Sequence, residues 1–249
     1  MRFLPHLLAA IVSAWALGGC APAQPAVQDL VQADVVLLGE VHDDAAHQRT
    51  HRDVVRDLAA RGRLAAVAIE MAEDGTSTAA LPRDAGEDAV RKALGWNDEG
   101  WPWAAYAPAV MEAVRAGVPV LGANLPRGRT RSAMGDAALD ARLDPQALGR
   151  QREAIRAGHC DLLPEGQLGP MARVQVARDV AMARVIEGAL VTGKTVVLLA
   201  GGGHVDPQLG VPRHLRQGLV VRPVLLPRSG EAPAKDYCAD LRRQIGRPA

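Results

Sequence analysis

Aromatic residues are scarce in this chain of 249 residues: they make up 3% of it, with one Phe, two Tyr and four Trp. The one Phe, Phe3, stands at the N-terminus, so Leu, Val, Ala and Ile must build the core. Trp96, Trp101, Trp103, Tyr106 and Tyr237 therefore stand out. No basic block occurs, and charge is balanced at 29 Lys and Arg against 28 Asp and Glu, which argues against a nucleic-acid partner. A comfortable membrane span is also missing: the apolar stretch Phe3–Leu17, about 15 residues, falls short of the roughly 20 that a bilayer needs. Cysteine is rare, at three residues: Cys20, Cys160 and Cys238.

What the N-terminus does have is an export pattern. Arg2 precedes the short apolar stretch, and Leu17-Gly18-Gly19-Cys20 has the form of a lipobox, in which small residues admit a signal peptidase and the Cys20 thiol takes the lipid. Ala21-Pro22-Ala23-Gln24-Pro25-Ala26 reads as a flexible tether. The expected organisation is a signal peptide over 1–19, a lipidated Cys20 and tether over 20–28, and a single domain over 29–249. With no aspartate after Cys20, the expected address is the outer membrane, facing the periplasm. In that oxidising compartment Cys160 and Cys238 could form a disulfide.

About 230 mature residues suffice for one large domain. Short apolar runs, Val35–Leu38, Ala65–Ile69, Val118–Leu121, Thr195–Leu199 and Leu219–Leu226, alternate with helical patterns over 46–60, 85–94, 104–116 and 171–191. Asp144-Pro145 starts a further helix, with Asp as N-cap and Pro in the first turn, and Gly117 is placed to end one. This alternation predicts an α/β fold with a mainly parallel central sheet flanked by helices. Residues 95–102 and 127–135 read as loops able to carry function.

Gly188-Ala-Leu-Val-Thr-Gly-Lys-Thr195 spells a phosphate-loop pattern, but the physics rejects it. Such a loop must follow a strand and open a helix, whereas here a helix precedes it and a strand follows. No nucleotide is expected.

Two strand ends resemble each other. Leu37-Leu38-Gly39-Glu40-Val41-His42 and Leu198-Leu199-Ala200-Gly201-Gly202-Gly203-His204 both run from a buried strand through glycine to an imidazole, and the strand 65–69 ends on Glu70. In a parallel sheet such residues gather at one edge. Glu40, His42, Glu70 and His204 are therefore expected to converge, either as acid/base groups or, for His42, Glu70 and His204, around a divalent metal. His47 and His51, four apart on one helix face, read as surface histidines. His159-Cys160 fits either a soft ligand pair or a buried Cys beside a capping His. Arg178-Asp179, within an apolar helix, fits a partly buried ion pair or an Arg facing the pocket.

Taken in order, Leu38-Gly39-Glu40-Val41-His42, Trp103-x-x-Tyr106-x-Pro108, Val118–Arg127, His159-Cys160, Gln175-x-x-Arg178-Asp179-x-x-Met182 and Gly203-His204-Val205 with Gly210-Val211-Pro212 resemble the ChaN-like haem-binding lipoproteins, grouped with the Tiki proteases and erythromycin esterases. The resemblance implies an α/β fold, haem binding in iron uptake, a Tyr ligand at a subunit interface and a homodimer on haem loading. Tyr106 and Tyr237 are the two tyrosines that could serve, with His159 and Arg178 as further cofactor-binding candidates. The superfamily's use of Gly-x-x-His motifs with a Glu for hydrolysis implies catalytic roles for Glu40, His42, Glu70 and His204 as the alternative.

Overall fold

A computed structural model describes residues 30–231 and 235–245; Cys20 and the expected export signal and tether lie outside the described residues. Five parallel strands form one sheet in the order β3-β2-β4-β1-β5. They are β1 (Val35–Glu40), β2 (Leu64–Glu73), β3 (Val120–Asn124), β4 (Thr195–Gly201) and β5 (Val221–Leu225). The connecting helices are α1 (Ala45–Ala60), α2 (Glu87–Ala93), α3 (Trp103–Arg115), α4 (Thr130–Gly135), α5 (Pro145–Gly158) and α6 (Glu165–Gly188), and α7 (Tyr237–Ile245) lies at the C-terminal end.

The inner strands are continuous apolar runs because helices cover both faces of a parallel sheet. Alternate residues serve opposite layers: Val36, Leu38, Val67, Ile69, Val197 and Leu199 pack with α1 and α3, whereas Val35, Leu37, Ala66, Ala68, Val196 and Leu198 pack with α6 through Met182, Ala183 and Ile186. The central strand β4 is fully buried along its length. Strand β5 lies at one edge, is largely exposed and carries Pro223 and Arg222, which suit an edge that must not recruit another strand.

Local signals act as expected at several ends. The Asp144 carboxylate accepts from Ala147 N at 2.8 Å, with Pro145 in the first turn, and Gly117 takes φ +73 just beyond α3. The phosphate-loop look-alike is the end of α6, a turn at Gly193 (φ +76) and the start of β4, the order that the phosphate-loop chemistry forbids. Residues 127–135, by contrast, are a 3-10 turn (Arg127–Arg129) followed by α4 rather than an open loop. Among the described residues no helix is long and apolar enough to cross a membrane.

Candidate functional site

Register brings the site together. Glu40 pairs with Gly201 across β1 and β4, and Ile69 with Leu199 across β2 and β4. The strand ends bearing Glu40 and Glu70 and the turn bearing His204 thus reach the same carboxyl edge, where open α/β sheets take ligands. Glu40, His42, Glu70 and His204 all line one open cleft of about 900 Å³ there.

The four form two groups. Glu70, 3% exposed, accepts from the Gly201 N–H at 2.8 Å and from Arg178 Nη2 at 3.0 Å, and lies 3.4 Å from His204 Nε2. Burial alone would raise this carboxyl, but the His204 imidazolium and the Arg178 guanidinium hold it far below the usual carboxylate range. His204 is also buried, and its Nδ1 meets Asp179 at 2.6 Å. Burial opposes its charge; Glu70 and Asp179 outweigh that and push its pKa up to about 10. Burial pushes the Asp179 carboxyl up, against the pull of the imidazolium. Arg178 is fixed in turn by Asn124 Oδ1 at 2.9 Å and Gln175 Oε1 at 3.0 Å.

In the second group, buried Glu40 accepts from the Tyr106 hydroxyl at 2.6 Å and from Gln48 Nε2 at 3.1 Å, and its Oε1 lies 2.7 Å from His42 Nδ1. Burial would raise Glu40, but the His42 bond, the charge of His51 and the Tyr106 bond bring it below its ordinary value. Burial depresses His42, yet its bond to Glu40 and the charge of Glu70 carry it above its ordinary value. The His42 ring stands edge-on to Trp101, with centroids 4.7 Å apart. The two groups meet over Gly201: a Cβ there would lie 2.9 Å from His42 Nε2 and 3.5 Å from Glu70 Oε2. Only glycine leaves that space open.

The remaining candidates divide. Arg178 faces the cleft, and Asp179 pairs with His204 from the same helix turn. Tyr106 touches the cleft but is 3% exposed; burial, then the Glu40 charge, pushes its phenol far above the ordinary tyrosine range. Tyr237 is 48% exposed at the cleft wall, with Lys235 beside it. His159 does not line the cleft: it caps α5, its Nδ1 2.8 Å from Ile155 O. Its neighbour Cys160 is bonded to Cys238, with Cα atoms 5.5 Å apart, so the pair is a cap and a disulfide rather than a ligand set.

His47 and His51 correct the surface expectation, at 3% and 1% exposed. His47 Nδ1 accepts from Val41 N and its Nε2 donates to Pro227 O, both at 2.9 Å, stitching the β1–α1 loop to the chain after β5. His51 lies 3.5 Å from Glu40 Oε2, and neither of its ring nitrogens has a hydrogen-bond partner among the described residues. Among the described residues no group of three or more His, Cys, Asp and Glu side chains is arranged to hold a metal ion. In particular, both His204 nitrogens face carboxylates, and His42, Glu70 and His204 make no such set. Sequence reading gave Gln48 and Asn124 no role in the site, whereas Trp101, already conspicuous as a rare aromatic, sits in the 95–102 segment whose loop character pointed to function.

Two imidazoles give stability opposite pH slopes. Burial lowers His51 from 6.5 to about 4, so the unfolded chain takes up a proton that the folded chain refuses, and stability falls as pH drops from 6.5 toward 4. The raised pKa of His204 does the reverse: its contribution is complete below 6.5 and is lost as pH rises through about 10. Urea denaturation across this range should peak near pH 6.5. His51→Leu should flatten the acid arm, worth about 3 kcal/mol, and leave the alkaline arm in place. A midpoint that ignores pH across the window would contradict both assignments.

Comparison with known proteins places this geometry. ChaN of Campylobacter jejuni, in a structure described as cofacial haem binding to that protein, superposes with a TM-score of 0.67 at 23% identity, covering 83% of this chain and 86% of that one; the likeness shows the fold. The type III effector HopBA1 gives a TM-score of 0.38 at 17% identity over 76% of this chain and 79% of that one, too low to argue from. No curated protein sequence matches the chain. A model of the family described as haem-binding uptake, Tiki superfamily, ChaN, matches residues 26–215, and the chain belongs to that family.

Proposed function

We propose that the cleft binds haem and that the protein serves haem or iron uptake as a lipid-anchored protein of the outer membrane, facing the periplasm. The observation that carries the reading, beside family membership, is the contrast between the two tyrosines in one cleft. Tyr106 is buried and gives its hydrogen to Glu40, whereas Tyr237 is 48% exposed and its bond to Asp43 stands at the surface, where an incoming group can compete for it. A tyrosine oxygen is an established haem-iron ligand type, and the exposure of Tyr237 supports it as the supplier. The wall fits the group in other respects. The cleft volume of about 900 Å³ lies within the range of cofactor sites. Trp101 offers an aromatic surface, and Arg178 and Lys235 offer cations to carboxylates. Because the cleft is open, a second copy would cover the outer side of a bound macrocycle, so a homodimer forms on loading.

Haemin added to the apoprotein should give a shifted Soret band, with the protein moving to dimer mass in sedimentation. Tyr237→Phe should abolish the shift, and Tyr106→Phe should retain it. No spectral change at micromolar haemin sinks the reading.

The Cys160–Cys238 disulfide supports export, since such bonds persist in oxidising compartments. Cys20→Ser should move the protein from the membrane fraction to the soluble periplasmic fraction. Retention in the membrane would remove the lipid anchor from the proposal.

One geometry favours hydrolysis as a second reading. Glu40 holds His42 by Nδ1, leaving Nε2 beside the open space over Gly201 where Glu70 Oε2 also arrives. A carboxylate-oriented imidazole is the arrangement of a general base on water. An esterase and peptidase screen should then find turnover that His42→Ala reduces at least about 100-fold; absence of turnover in the wild type ends this reading.

A further inference from the structure

The family match ends at residue 215, yet two cleft-lining side chains, Lys235 and Tyr237, come from the chain beyond it. They enter with α7, and α7 packs extensively on no other helix or strand of the described chain. Its side chains stay exposed or half-buried where they are described. Two attachments of it are described. One is the Tyr237 hydroxyl on the carboxylate of Asp43, itself 3.0 Å from Arg228. That hydrogen bond stands at the surface, where water competes for both partners. The other is covalent: Cys238, the residue after Tyr237, is bonded to Cys160, 78 residues earlier.

The Cys160 end is built to stay put. Cys160 is 9% exposed. It and Asp161 both take left-handed backbone, φ +59 and +58, which side-chain-bearing residues rarely adopt. Backbone bonds knit this turn to α5: Cys160 N donates to Ala157 O at 3.0 Å and Asp161 N to Arg156 O at 3.1 Å. The thiol at 160 is thus a fixed post beside the last turn of α5, and Cys238 is the movable end.

We propose that the Cys160–Cys238 disulfide is a redox latch that holds Tyr237 and Lys235 in the wall of the cleft, so that its reduction by a dithiol opens the cleft and releases a bound planar anionic ligand. The inference rests on the haem reading for its ligand, but not for its latch. The chemistry balances: two electrons and two protons from the dithiol break the sulfur–sulfur bond and leave two thiols, while the dithiol closes to its own disulfide. With the bond intact, the wall residues are presented at high effective concentration. Once it is open, the surface bond between Tyr237 and Asp43 is the side-chain hydrogen bond described that still ties them to the cleft wall, and the ligand loses an oxygen donor and a cation together.

The test uses the full chain, oxidised, treated with dithiothreitol, and as Cys160→Ser/Cys238→Ser, each confirmed folded by far-ultraviolet circular dichroism. Amide exchange of the 235–245 peptide and haemin affinity are read in parallel. The expected result is faster exchange confined to that peptide and an affinity about tenfold weaker in both the reduced and the substituted protein. Exchange unchanged on reduction overturns the latch. So does faster exchange with affinity unchanged, because α7 would then be free without the cleft responding. If the oxidised protein binds no haemin, the haem reading fails on its own. The exchange result still decides the latch in that case: acceleration across Tyr237 supports it, and none overturns it.

Discussion

The buried carboxylate of Glu70 is the constraint on which the rest of the site depends. A carboxylate taken out of water is costly unless it is paired and hydrogen-bonded on all sides. Three separate parts of the chain meet that demand: the Gly201 N–H at the end of β4, Arg178 on α6, and His204 in the turn after β4. Each partner is anchored further out, Arg178 by Asn124 at the end of β3 and His204 by Asp179 one residue along α6. One charge therefore ties β2, β3, β4 and α6 at the same edge. It also sets the chemistry of what stands beside it: the charge of Glu70 helps to raise the pKa values of His42 and His204 above the ordinary imidazole value.

Much of this was legible in the sequence because strand ends in a parallel sheet are a positional code. A buried apolar run followed by glycine and then an imidazole, twice, with a third run closing on Glu70, points to one edge without any knowledge of strand order. The false phosphate loop was readable for the same reason, since the chemistry needs an element order and the order at 188–195 is inverted. The limit came where a residue's environment is made by distant chain. His47 and His51 share a helix face, and spacing alone makes them surface residues. They are buried because that face of α1 lies against the β1–α1 loop, Glu40 and the segment after β5. The long α6 likewise gives no period that marks Asp179 as the partner of His204, 25 residues away.

The disulfide shows the same limit more sharply. In the compartment that the N-terminus leads one to expect, Cys160 and Cys238 are eligible partners, but spacing says nothing about a pair 78 residues apart. Once their proximity is known, His159 changes meaning. It is not half of a soft ligand pair but the cap of α5, ahead of a left-handed turn that presents Cys160 to the C-terminal helix. The neighbouring Tyr237 acquires a place in the cleft through this bond, which no local property of the C-terminal segment could have given it.

That leaves two tyrosines whose roles the sequence could not separate and whose surroundings do. Tyr106 lies on α3 among Trp96 and Trp101, with its hydroxyl committed to a buried carboxylate. Burial and the adjacent negative charge both oppose the phenolate there, so Tyr106 serves as a hydrogen-bond donor that keeps Glu40 in place, and through Glu40 it orients His42. Tyr237 differs in exposure: it is half exposed, with Lys235 Nζ 5.1 Å from its ring, although burial and the Asp43 carboxylate that accepts from its hydroxyl raise its pKa too. The scarcity of aromatics thus turns into a division of labour, in which one tyrosine is buried within the site and the other stands half exposed at its wall.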